Sequence, residues 1–157
     1  MTVSVGDAAP DFTLFSGPGE TVTLSELKGK KVVLAFFPAA FTGICTKEMC
    51  TFQDSLAQLN DLNATVLAIS VDNVFSSQTF KKQNNIDFPV LSDYAREATL
   101  AYGVALEDFV GVPGYTVAQR AVFIVDTSGN VAYAWEGPNP GHEPNYDEVK
   151  AAVAAAS

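Results

Sequence analysis

The chain has 157 residues, 48% of them hydrophobic and 17% charged, a balance that supports a substantial buried core and excludes a disordered chain. Acidic residues outnumber basic ones 18 to 9, for a net charge of −9, which argues against nucleic acid or an anionic membrane as partner, since both need clustered Lys and Arg. No apolar stretch reaches membrane-spanning length, and the start lacks a basic region followed by an apolar one, so the expectation is one domain over 1–157 in the cytoplasm.

Short apolar runs at 12–14 and 21–23 predict two opening strands. Lys28, Lys30 and Lys31 form a solvated turn before a longer run, 32–37, with the composition of a buried strand. Pro38 ends that strand, because it has no N–H to donate and fixes its own φ. Thr42 is the expected N-cap of a helix over 44–61, which puts Cys45 in the first turn. A thiol there faces unpaired N–H groups and the positive end of the helix dipole, and both favour the thiolate.

Met49, Phe52, Leu56 and Leu59 repeat at helical spacing and, with Cys45, define one face of this helix. Glu48 lies three residues beyond Cys45 on the same flank. Cys50 sits about 140° around the helix from Cys45. Its neighbours there are Gln53, Asp54, Ala57 and Asp61, a polar face where a merely space-filling cysteine is unexpected.

Further strands are predicted at 66–71, 90–91, 121–125 and 131–135, and further helices at 74–84, 95–102 and 146–156. Between them, 101–117 reads as a loop bordering the site opening, with Gly111, Pro113 and Gly114. Asp126 to Asn130 carries a hairpin-turn signal. Arg120, one of only two arginines, opens the apolar run 121–125, where an unpaired charge is costly to bury. A sulfur anion at Cys45 would suit it, and so would an ordinary surface ion pair. The alternation of elements predicts an α/β domain with a mixed sheet covered by helices.

The spacing Pro38-x-x-x-Thr42-x-x-Cys45 resembles the active-site motif of the peroxiredoxins, the alkyl hydroperoxide reductase/thiol-specific antioxidant type of thiol peroxidase. Glu48 matches an acidic residue that the family often carries three positions after the cysteine. The resemblance extends to the opening segment, Val3 to Phe12, and to Gln119 to Asp126, which looks like the strand bearing the family's arginine at Arg120. It covers roughly residues 3 to 136. It implies a thioredoxin-like fold, with Cys45 as the residue that attacks hydrogen peroxide or an alkyl hydroperoxide. It further implies Thr42 accepting a hydrogen from the peroxide, Pro38 shielding the site, and Glu48 orienting Arg120. No metal, haem or flavin is implied, and the expected oligomeric state is a monomer or a homodimer.

The Cys-x-x-x-x-Cys pattern resembles the peroxiredoxin Q group, in which Cys50 would resolve the Cys45 sulfenic acid as an intramolecular disulfide for a thioredoxin-like reductant. The flanking stretch, Ala40 to Cys45, also resembles alkyl hydroperoxide reductase E, which leaves a one-cysteine enzyme with Cys50 as bystander open. A redox sensor or chaperone-like protein is a further alternative, and a metal site from Cys45, Cys50 and His142 lacks a fourth ligand and the usual spacing. Five residues along a helix rise about 7.5 Å. A disulfide needs Cα atoms within about 7 Å, so pairing Cys45 with Cys50 requires local unwinding. Phe36, Phe37, Phe41 and Phe123 are further candidates, either for core packing or for an apolar collar around the thiol.

Overall fold

In the computed structural model, residues 3–157 are described; Met1 and Thr2, which belong to the start expected to carry no leader, lie outside them. A seven-stranded mixed sheet forms the frame. Its strands are β1 (Thr13–Gly17), β2 (Glu20–Thr23), β3 (Lys31–Phe36), β4 (Ala64–Ser70), β5 (Val90–Ser92), β8 (Ala121–Val125) and β9 (Val131–Glu136), in the order β2-β1-β5-β4-β3-β8-β9. Two short strands, β6 (Ala105–Leu106) and β7 (Val117–Ala118), pair apart from it. The helices are α1 (Gly43–Asp54), α2 (Leu56–Asp61), α3 (Val74–Gln83), α4 (Glu97–Ala101) and α5 (Tyr146–Ala155).

The central strands are parallel through β3, β4 and β5, while β8 runs antiparallel to β3 and to β9. Their continuous apolar composition follows from burial on both faces. Along β3 and just past it, Val33, Ala35 and Phe37 point into a core shared with α1, α2, α3 and α5. Val32, Leu34 and Phe36 point into a second core with Phe12, Ala98, Tyr102 and Phe123. This is the period of two expected of a pleated strand.

The single helix expected over 44–61 is two helices, α1 and α2, broken at Ser55. The Ser55 N–H reaches both Thr51 and Phe52 carbonyls, a tightened last turn, and the Thr51 hydroxyl donates back to the Lys47 carbonyl at 2.8 Å. Such back-bonding competes with the regular ladder and bends helices. The expected helix 95–102 shortens to α4, because Arg96 takes a left-handed φ of 60° ahead of it. The predicted hairpin forms: the Asp126 carboxylate accepts from the Ser128 and Asn130 N–H groups, and Gly129 supplies the positive φ. Among the described residues, no helix is long and apolar enough to cross a membrane.

Candidate active site

Strand register builds the site. Antiparallel pairing sets Phe36 opposite Ala121, so Arg120 falls beside the end of β3, where the chain turns into α1. Pairing of Ala121 with Glu136 does the same for the segment after β9, and the Gly137 N–H donates to the Arg120 carbonyl at 2.8 Å. Three segments distant in sequence thereby meet at one end of the sheet.

The Arg120 side chain is only 1% exposed and every bond it makes is directed. Nη2 donates to Cys45 Sγ at 3.0 Å and Nη1 to Glu48 Oε1 at 2.8 Å. Nε and Nη2 both donate to the Pro140 carbonyl, at 3.1 and 2.8 Å. Cys45 and Glu48 are equally buried, at 1% and 0% exposure. Cys45 occupies the first turn of α1, whose leading N–H groups have no helical carbonyl to bond.

Burial pushes the Glu48 carboxyl up to about 7, against the pull of Arg120 beside it. Burial opposes the charge on Arg120, yet Glu48 and Cys45 together raise its pKa above the ordinary value. Glu48 Oε2 is buried without a hydrogen-bond partner, which is the environment of a carboxyl that resists ionisation.

Thr42 has the backbone conformation of an N-cap, but its side chain makes no capping bond. Its hydroxyl donates instead to the Ala39 carbonyl at 3.0 Å, which leaves the oxygen an acceptor towards any further partner. Thr42, Pro38, Cys45 and Arg120 line one cavity of about 500 Å³. Its apolar wall comes from Ile44, Leu106, Phe109 and Val110, and not from the four phenylalanines considered for a collar. Phe36 and Phe123 pack in the second core, Phe37 in the first, and the exposed Phe41 lies edge-on to Phe80 at 5.6 Å.

Cys50 stands apart from this group. It is half-buried on α1, its Sγ 4.0 Å from Asn84 Oδ1 at the end of α3, and both cysteines are free thiols. The polar face expected for it is therefore partly covered by α3. His142 is exposed beside Trp135, and no group of three or more His, Cys, Asp or Glu able to hold a metal occurs among the described residues. The cavity wall at 106–110 was legible only as a loop; no sequence signal marked Leu106, Phe109 or Val110.

The AhpC/TSA family model matches residues 5–134. The chain belongs to this family. A Coxiella burnetii protein provisionally named as a peroxiredoxin of the bcp kind is 39% identical over 135 residues, 86% of this chain and 89% of its own. The peroxiredoxin Bcp of Bacillus subtilis is 35% identical over 136 residues, 86% of each chain. The crystal structure of peroxidoxin BcpB from Mycobacterium tuberculosis superposes with a TM-score of 0.85 at 29% identity, covering 98% of this chain and 97% of that one. The thioredoxin-like architecture is thus common to this peroxiredoxin and its structural neighbours.

Proposed function

We propose that Cys45 is the peroxide-reducing residue of this thiol-dependent peroxidase, and that Arg120, Thr42, Glu48 and Pro38 complete its site. The observation that carries this reading is the buried 3.0 Å hydrogen bond from Arg120 to Cys45 Sγ at the floor of an open cavity. The guanidinium supplies the counter-charge that a buried thiolate needs.

The sulfur attacks the terminal oxygen of a hydroperoxide; the S–O bond forms as the O–O bond breaks. Arg120 and the free N–H groups at the start of α1 stabilise charge on the departing oxygen. That oxygen takes up a proton and leaves as water or an alcohol. Thr42 accepts a hydrogen bond from the peroxide, because its own hydrogen is committed to Ala39. Glu48 orients the guanidinium through its bond to Nη1, and Pro38 shields one side of the site.

The Cys45 sulfenic acid then condenses with the Cys50 thiol, forming an intramolecular disulfide and releasing water. A thioredoxin-like dithiol returns two electrons and restores both thiols. Two free cysteines suit a reducing compartment such as the cytoplasm. With hydrogen peroxide and a thiol reductant, Cys45→Ser is expected to abolish turnover; near-normal peroxide consumption by that variant would overturn the assignment.

A further inference from the structure

We infer that Asp72 is a positioning residue for the peroxide-reducing loop, holding the segment between β3 and α1 in the geometry from which Cys45 and Thr42 act. The inference rests on the assignment of Cys45 above. Pro38 offers no N–H, so the sheet pairing of β3 ends with the bond from Phe37 N–H to the Ile69 carbonyl at 2.9 Å. The next anchor is a side chain: the Ala40 N–H donates to Asp72 Oδ2 at 2.8 Å. Phe41 follows at a left-handed φ of 67°, and Thr42 bonds back to Ala39. A strained turn of this kind persists only where its surroundings fix it.

Asp72 is itself fixed from the sheet. The Ser70 hydroxyl donates to the same carboxylate oxygen at 2.7 Å, and the Asp72 carbonyl accepts from the Ser92 hydroxyl at 2.5 Å. Both serines are fully buried at the ends of β4 and β5. Two simpler uses of the carboxylate fail. The helix that follows, α3, is capped by Asn73, whose side chain accepts from the Ser76 N–H. Among the described residues, Asp72 makes no salt bridge. Asp72 therefore ties two strand ends, Ser70 through its carboxylate and Ser92 through its backbone carbonyl, to a loop 32 residues away in sequence that leads to the reactive sulfur.

The test compares two reactions of Cys45. Reduction of hydrogen peroxide needs the loop geometry, whereas alkylation by iodoacetamide, read at Cys45 by peptide mass spectrometry, needs the thiolate but not the peroxide-binding groups. In Asp72→Ala the rate of peroxide reaction is expected to fall by about 10- to 100-fold, the usual effect of an ångström-scale displacement, while alkylation stays within about twofold. Asp72→Asn keeps an acceptor of the same reach and is expected to retain the peroxide rate within about threefold. Asp72→Glu keeps the charge but lengthens the reach, and is expected to resemble Asp72→Ala; it also serves if Asp72→Ala does not fold. Unchanged peroxide rates in Asp72→Ala and Asp72→Glu would overturn the proposal. So would equal slowing of both reactions, or Asp72→Asn as slow as Asp72→Ala with Asp72→Glu near the wild-type rate, which would assign the effect to charge. A wild-type protein inert to peroxide would instead sink the Cys45 assignment and this proposal with it.

Discussion

Glu48 shows how one buried acid can be both partner and burden. Its bond to Arg120 is short, yet full burial of the pair removes both ions from water, and desolvation can exceed the attraction regained. The two groups pull differently: Glu48 helps hold Arg120 charged, while burial holds Glu48 near 7, with Oε2 left unpartnered. Close to neutral pH, both protonation states of Glu48 are therefore populated. When it is neutral, Cys45 no longer shares the guanidinium charge with a carboxylate.

The sign of the stability effect follows from where the proton sits. Folding raises Glu48 from 4.5 to about 7, so between those values the native chain binds more protons than the unfolded one. Stability from this group is complete below the unfolded value and is lost as pH rises through the window, at no more than about 1.4 kcal/mol per pH unit. Urea unfolding from pH 5 to 8 is expected to show this decline, and Glu48→Gln to flatten it. An unchanged profile in that variant would place the protonation elsewhere.

At the scale of elements, α1 carries the proposed redox cysteines and α2 its anchor. Both cysteines lie on the unbroken α1. Five residues of helical rise separate them by about 7.5 Å, beyond what a disulfide spans with its Cα atoms apart on different faces. The break at Ser55 confines the rearrangement: α1 can unwind from Gly43 while Leu59 keeps α2 in the core. Unwinding would also release the Lys47–Glu143 ion pair and the Arg120 bonds to Cys45 and Glu48.

One equivalent of peroxide is thus expected to lower the intact mass of the monomer by two hydrogens. Hydrogen exchange should then show α1 amides losing protection and α2 amides keeping it. A gain of oxygen without that loss would leave Cys45 as the sole redox cysteine. Continued protection of α1 in a disulfide-bonded form would overturn the unwinding step.

For the whole molecule, the sheet divides labour between its faces. Cys45, Met49 and Phe52 pack on one face; Phe36, Tyr102 and Phe123 cluster on the other in tilted and edge-to-face contacts, with ring centroids 5.2–5.9 Å apart. Phe123→Ala is expected to cost about 3–5 kcal/mol of stability, since it opens a cavity in a fully buried ring cluster. Its per-molecule peroxide rate in the folded state should be preserved, because the cavity lies across the sheet from the sulfur. Urea unfolding and peroxide kinetics at low temperature check the two halves; a loss below about 1 kcal/mol would mean the cluster repacks.

Much of this was legible in the chain. The apolar run into Pro38, the placement of Cys45 at a helix start and the register of Glu48 three residues on are local facts, set by dihedral limits and helical geometry. The hairpin at Asp126 and the buried character of β3 and β8 were legible for the same reason. The break at Ser55 was not, because it depends on hydrogen bonds competing within a turn, and the apolar pattern runs straight through it. Thr42 stands at the N-cap position as expected, but its side chain makes no capping bond, because its hydroxyl turns to a carbonyl three residues back.

By itself, then, the sequence determined which cysteine sits at a helix start, which strands are buried and which family the motif resembles, since each depends on neighbours along the chain. Only the tertiary structure decided that Arg120 meets Cys45 and Glu48, that the 106–110 segment walls the cavity, and that the Asp72 carboxylate accepts from the Ala40 N–H. Those contacts come from strand register and loop closure, which join residues 32 to 75 positions apart, and no local pattern encodes them.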